Sequence, residues 1–417
     1  MKKAHFLPLC MMAVIGLASC QKTEKLTKQN DGTANRPKGV MTASSDGTWT
    51  GYFRRTSGWT AGDATISIPV TKDGTTSYTH SIWLFGDSHL DGINTANEPD
   101  TRNCMFDVFN GMMLQSGSIN SFTTSTGGGS GNARTRFKFP ENGQPLLYIP
   151  GDTLRLWPGH GFENNNTVYA FVNGYDNQMA FATGYNYVAS FAYNVASGGA
   201  ITVTKLNNSS GSTGVVWGMW CIVSGNDVYI YGTKGGGYLG SSSLYVAKAS
   251  KTNITGTWTY WNGSSFVSGV TNATAIASGL SNHVSIVKFK NSANADRYAL
   301  INQEITLGCG TGRNINLYGC AAALTGPFNF NKTLYTITDK LPGATGPSDP
   351  YMKTYDTQAH PQFSSGGLLV SYNVNGNCTG TCWPLNLQVP ADGYRPKFIR
   401  IPLTDFESNI TSVSQTW

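Results

Sequence analysis

The sequence predicts an all-β protein folded as a five-bladed β-propeller, and three observations carry that reading. Charged residues make up only 12% of the chain, aromatics another 12%, and there are 49 glycines. Low charge with many aromatics and turn formers is what a many-stranded protein needs. No helical periodicity runs longer than three turns. Five similar strand units recur along the chain, spaced by roughly 60 to 85 residues.

In order, these units are Ser81–Asp87, Val168–Gly174, Val228–Gly232, Tyr298–Gln303 and Leu368–Asn373. In each, a Gly/Asn turn leads to a second aromatic-aliphatic strand, among them Tyr187–Tyr193, Leu244–Lys248, Leu317–Ala322 and Lys397–Ile401. Period-two alternation marks each as a strand. Five repeats of this kind predict five four-stranded blades around a channel. The Gly/Ser/Thr-rich stretch 116–132 reads as a loop within one domain. A pair of β-sandwiches is the alternative, and it does not account for five similar units.

The first 40 residues read differently. Lys2 and Lys3 precede an apolar run, Phe6–Leu17, broken by Pro8 and Gly16, and Leu17-Ala18-Ser19-Cys20 follows. The run is shorter than the roughly 20 apolar residues that span a bilayer. Leu-Ala-Ser-Cys resembles the lipobox of bacterial lipoproteins, which implies a signal peptide over 1–19, lipidation at Cys20 and an exported, outer-membrane lipoprotein held only by its acyl chains. Residues 20–40 carry almost no large apolar side chain and are expected to form a flexible tether. Seven Lys/Arg against two Asp/Glu place +5 of the formal net charge of +6 within residues 1–40. The propeller, 41–417, is therefore nearly neutral, and no basic patch points to nucleic acid.

Of eight cysteines, Cys10 lies in the signal and Cys20 at its end. In an oxidising compartment the economical disulfides are Cys309 with Cys320 and Cys378 with Cys382, since each pair flanks a Gly/Asn-rich stretch. Neither spacing is the short C-x2-C of structural zinc sites, so disulfides are preferred to a metal site. No cofactor is expected.

In a propeller the first strand of each blade lines the channel, so functional side chains collect at one mouth. The first such segment, Gly58-Trp-Thr-Ala-Gly-Asp63, is followed by Trp83-Leu-Phe-Gly-Asp87. Together they resemble the opening signature of the five-bladed propeller families catalogued as domains of unknown function 4185 and 5005. Later stretches continue the likeness: Trp157-Pro-Gly-His160-Gly, Trp217-Gly-Met219, Trp258–Gly263 and Tyr355-Asp-Thr-Gln-Ala-His360, with Ser371-Tyr-Asn373 beyond. The first family includes enzymes that cleave arabinan-type glycans. The resemblance implies a glycoside hydrolase with Asp63 and Asp87 as catalytic carboxylates. His160 stands where that pattern carries an aspartate, and Ala61 where it carries glycine.

The chemistry favours the same pair. Glycoside hydrolysis usually needs two carboxyl groups, one ionised and one protonated, flanking the scissile bond. Gly62 and Gly86 precede these aspartates and allow close approach. Asp87 also suits an ordinary turn, and Glu304 is a third candidate that also suits a solvated strand end. His160, His283 and His360 sit at blade entrances and are expected to contact sugar rather than metal. Trp217 and Trp220 fit a stacking platform or plain blade core, and Asn373 is a further candidate contact. Asp91 and Asp356 read as loop residues, and Trp258 and Trp261 as an edge hairpin. The expected partner is a polysaccharide or oligosaccharide bound by a monomer. The competing function is a non-catalytic glycan-binding lipoprotein.

Overall fold

The computed structural model describes residues 42–71, 80–116, 120–125, 154–176, 182–192, 201–207, 214–235, 240–344, 346–376 and 387–415. The signal and tether read over 1–40, Cys20 included, and the pair Cys378 and Cys382 lie outside them. The described part forms seven sheets: five blades, each beginning in chain order with an inner strand, and two two-stranded ribbons.

Blade 1 pairs Ile66–Val70, His80–Phe85, Gly111–Gln115 and Phe122–Ser125. Blade 2 pairs Leu154–Asn164, Thr167–Asp176, Ala182–Ala192 and Thr202–Lys205. Blade 3 runs from Val216–Ser224 through Asp227–Gly235 and Ser242–Ser250 to the hairpin Thr259–Trp261 and Phe266–Val267. Blade 4 contains Val284–Asn291, Asp296–Gln303, Asn314–Ala321 and Lys332–Thr336. Blade 5 contains Lys353–His360, Leu368–Asn375 and Lys397–Ile401. The five predicted units are the second strands of these blades.

The inner strands carry a different signal. Ile66–Val70 is buried along its whole length, as is Val216–Val223, because neighbouring blades cover one face and the channel packing the other. Such strands show no period-two alternation. Apolar clusters fill the spaces between blades: Ile68, Ile82, Val168 and Ala170 between blades 1 and 2, and Trp217, Val228, Ala247 and Trp258 between blades 2 and 3.

Both ends of the described chain are stitched onto existing sheets. Ser44 and Ser45 pair with Arg400 and Ile399 on the outside of blade 5. Ile410–Val413 pairs with Val284–Asn291 in blade 4. Asp46 caps the short helix Gly47–Tyr52 by accepting from Trp49 N at 3.1 Å, and its other carboxylate oxygen meets Arg400 at 2.9 Å. That geometry directs Trp49 and Phe53 into an aromatic cluster with Trp83, Phe363 and Phe398, with ring centroids 4.5 Å apart for Trp49–Phe363 and 4.9 Å for Phe53–Trp83.

Side chains fill the channel. His360 Nδ1 lies 2.7 Å from Ser67 Oγ of blade 1 and its Nε2 2.9 Å from Ser371 Oγ. His160 stacks on Trp220 at 3.9 Å, with its Nδ1 3.3 Å from Cys221 Sγ of blade 3. Burial holds both imidazoles neutral, pushing His160 down to about 3 and His360 well below the usual histidine range.

The expected Cys309–Cys320 disulfide is not formed. Cys320 is a free thiol, as is Cys221, whereas Cys309 and Cys104 are disulfide-bonded. The strand Asn314–Ala321 explains why. It carries Cys320 about 20 Å from its start at roughly 3.3 Å per residue, while the loop that holds Cys309 stays at the starting end, where Gly310 N donates to Met352 O and Gln303 Nε2 to Gly312 O.

Candidate active site

A short two-stranded ribbon above blade 1 builds the core of the site. Trp59–Gly62 pairs antiparallel with Ser88–Leu90, Gly62 lying opposite Ser88. The next pair along is Asp63 and Asp87: Asp63 N donates to Asp87 O at 3.4 Å, and Gly86 N donates to Asp63 O at 3.0 Å. Asp63 thus faces both Gly86 and Asp87, one residue against two, as in a β-bulge, which keeps the two aspartates close neighbours at one end of blade 1.

Immediately after Asp63 the chain turns sharply into the inner strand. Ala64 and Thr65 both take left-handed backbone conformations, φ 66° and 42°, which cost of order 1 kcal/mol or more each for residues with a Cβ. Thr65 Oγ1 donates to Asn373 Oδ1 at 2.7 Å and holds the turn. The glycines do not serve approach by a ligand. A Cβ at Gly86 would collide with the Asp63 carboxyl, and one at Gly62 with Ser88 Oγ and Trp59 Nε1.

Asp63 Oδ2 accepts from Tyr394 at 2.8 Å and from Tyr355 at 3.2 Å, both hydroxyls donating. Asp87 Oδ1 accepts from Trp157 Nε1 at 3.1 Å. Burial, and then the nearby Asp87 and Asp356, raise the Asp63 carboxyl well above the usual range; the tyrosine donors oppose this without cancelling it. Tyr355 and Tyr394 are themselves pushed well up, first by burial and then by Asp63, so both remain neutral donors.

Asp63 and Asp87 line a pocket of about 210 Å³ at the mouth, opposite His283, Glu304, Lys353 and Asp356. Asp356 comes from blade 5, where the register shifts between Tyr355 and Gln358 and Asp356 takes φ 54°. Its carboxylate lies 3.7 Å from His283 Nε2. Burial raises Asp356, with His283 and Lys353 pulling the other way. Glu304 accepts from Asn314 N at 3.2 Å and Asn314 Nδ2 at 2.8 Å, which pins it at the edge of the mouth.

Four of the residues expected at the site therefore meet there: Asp63, Asp87, His283 and Glu304. Four do not. His160 and His360 point into the filled channel below the mouth, where each is shut off from solvent. Asn373 is buried beside Thr65. Trp217 packs between blades, 6.1 Å from Trp258 and 5.6 Å from Tyr260, in space left by the missing side chain of Gly232. Trp157, Lys353, Tyr355 and Tyr394 also line the pocket without having been singled out for the site, and so does Asp356, which reads in the sequence as a loop residue. Two of the quoted motifs held the signal: Trp157 precedes His160, and Tyr355-Asp356 open the segment that ends in His360.

Among the described residues no group of three or more His, Cys, Asp or Glu is arranged to hold a metal ion.

The family model "Domain of unknown function (DUF5005)" matches residues 46–417. No curated protein matches the chain. A crystal structure described as "a putative hydrolase from Bacteroides ovatus" superposes with a TM-score of 0.63 at 20% identity, covering 86% of this chain and 90% of that one. An α-L-arabinanase mutant from Cellvibrio cellulosa gives a TM-score of 0.43 at 11% identity, over 85% and 99% of the two chains. A GH43_1 enzyme from Xanthomonas citri complexed with xylotriose gives 0.43 at 10%, over 88% and 96%.

Proposed function

The chain belongs to the DUF5005 family of five-bladed propellers, and we propose that it is a glycoside hydrolase acting at the mouth through Asp63 and Asp87. The observation that carries this reading is the neighbouring carboxyl pair: the surroundings of Asp63 hold it toward its protonated form, and Asp87, shut off from solvent, accepts an indole N–H. Environments that push two carboxyls apart are how acid and base roles are assigned in such sites.

Side-by-side carboxyls suit the short spacing of retaining hydrolases, about 5 to 5.5 Å, better than the wider inverting one. In that mechanism the Asp87 carboxylate attacks the anomeric carbon as the glycosidic C–O bond breaks. Asp63 gives its proton to the leaving oxygen. A water then attacks the glycosyl–Asp87 ester, losing its proton to Asp63 and freeing Asp87. Glu304, Asp356 and His283 on the facing wall hold sugar hydroxyls. An arabinan-like or related neutral glycan is the proposed substrate, processed by a monomer tethered to the outer membrane through lipid on Cys20.

One observation favours a second reading. Both tyrosine hydroxyls converge on Asp63 Oδ2, as they would if the carboxyl only anchored the mouth of a glycan-binding protein. The deciding experiment incubates the full protein, Asp63→Asn and Asp87→Asn with plant, algal and microbial polysaccharides and measures released ends. The hydrolase reading expects release by wild type and a loss of about 1,000-fold or more in either variant. Binding without release across the panel sinks it.

A further inference from the structure

We infer that the mouth takes an uncharged oligosaccharide, one sugar ring of which lies flat against Phe106. This rests on the reading of the mouth as a glycan site and names its substrate class.

The first support is where apolar surface is left exposed. Among the described residues the exposed large hydrophobics are Met105, Phe106, Leu307 and Phe330, at 45%, 36%, 59% and 60%. Phe330 sits away from the mouth against Tyr318 of blade 4. Of these four, Phe106 is the one that lines the pocket. A large apolar ring left exposed inside a pocket, among polar lining residues, offers a surface for a ligand to cover.

The second support is rigidity. Cys104, two residues before Phe106, is disulfide-bonded and donates its N–H to Leu387 O at 2.9 Å. On the other side, Asp107 N and Val108 N both donate to Ser88 O, at 3.0 and 3.1 Å. The Phe106 ring leans on Tyr394, centroids 5.0 Å apart, and on His89 at 5.3 Å. The exposed ring is therefore held in place and ready to bind without further ordering. The C–H bonds on one face of a sugar ring are weakly positive and match the negative face of an aromatic ring. Tyr394, beneath Phe106, also donates to Asp63. A sugar seated on Phe106 is thus one side chain away from the carboxyl pair.

The third support is charge. Asp63, Asp87, Glu304 and Asp356 line the pocket against only Lys353 and His283. His283 lies beside Asp356, and Lys353 Nζ sits 5.8 Å over the Tyr355 ring. Among the described residues Lys353 is the pocket's one ammonium, set against Asp87, Glu304 and Asp356, so the balance of charge disfavours a uronate or sulfate.

The test uses the full-length protein carrying Asp63→Asn, so that no turnover intervenes. It is titrated calorimetrically with neutral arabino-, xylo- and gluco-oligosaccharides and with oligogalacturonate. We expect binding of at least one neutral series, none of oligogalacturonate, about tenfold weaker binding with Phe106→Ala added, and near-parental binding with Phe106→Tyr. Thermal melts of both variants check that the exposed position leaves the fold intact. Failure of every neutral series to bind, equal binding of oligogalacturonate, or a silent Phe106→Ala overturns the inference. Cleavage by wild type is scored separately. The expected binding pattern without product release removes the hydrolase reading and leaves this one; product release with a silent Phe106→Ala does the reverse.

Discussion

Replacing Asp63 by asparagine is expected to stabilise the protein at neutral pH and to do so only there. Were the Asp63 and Asp87 carboxyls both ionised roughly 6 Å apart, at an effective dielectric of about 20 they would repel by about 3 kcal/mol, so the folded protein holds the Asp63 proton instead and at neutral pH bears a cost of up to about that size. Asparagine needs no proton and keeps an acceptor oxygen for Tyr355 and Tyr394, and its poorer fit in the carboxyl's place costs about 1 kcal/mol. The net gain is about 2 kcal/mol. For roughly 370 ordered residues the unfolding entropy is about 0.8 kcal/mol/K, so the midpoint should rise by about 2 to 3 °C. The sign with pH follows from proton binding. The folded protein holds the Asp63 proton more tightly than the unfolded chain, so wild-type stability falls as pH rises from the unfolded value near 4 through the raised folded one. Melting curves of both proteins between pH 4 and 8 should coincide at the acid end and separate upward. A variant no more stable than wild type at pH 7, or a gap indifferent to pH, would refute the reasoning.

Other outcomes follow from the same geometry. Tyr394→Phe removes a donor to the Asp63 carboxylate, so the limb of the pH–activity profile that reports Asp63 should move to higher pH, read from kcat/KM across the range. Trp157→Phe keeps a ring but deletes the N–H on Asp87; kcat should fall about tenfold, with a melting temperature within a degree or two of wild type. Gly86→Ala drives a methyl into the Asp63 carboxyl and should cost about 1 to 3 kcal/mol by denaturant titration while abolishing activity. Cys320→Ser should change stability by less than about 1 kcal/mol, and non-reducing mass spectrometry should show every disulfide retained.

The fold was legible because the second strand of each blade is an aromatic-aliphatic run that recurs five times, even where the strand is buried nearly end to end, as His80–Phe85, Asp296–Gln303 and Leu368–Asn375 are. The inner strands share no such recurring run: Ile66–Val70 is buried throughout, whereas Lys353–His360 is only partly so. The site was half legible. Asp63 and Asp87 lie in a family signature whose spacing reflects the ribbon that pairs them. Asp356 reads as a loop residue because its placement depends on a register shift and a left-handed backbone, neither of which leaves a pattern in composition or period. The histidines misled for a related reason. His160 and His360 lie farther along their inner strands than Trp157 and Tyr355, and that distance carries them from the open mouth into the packed channel. The cysteine pairing failed because closeness in sequence says little where an extended strand intervenes.

The filled channel has a consequence for traffic. His160, Trp220 and His360 are shut off from solvent below the mouth, so among the described residues the pocket ends on them. No polymer can thread through it, so both ends of any bound chain must run out across the same face. Whatever leaves the pocket departs by the route along which the next chain arrives, and arrival and departure compete for a single doorway.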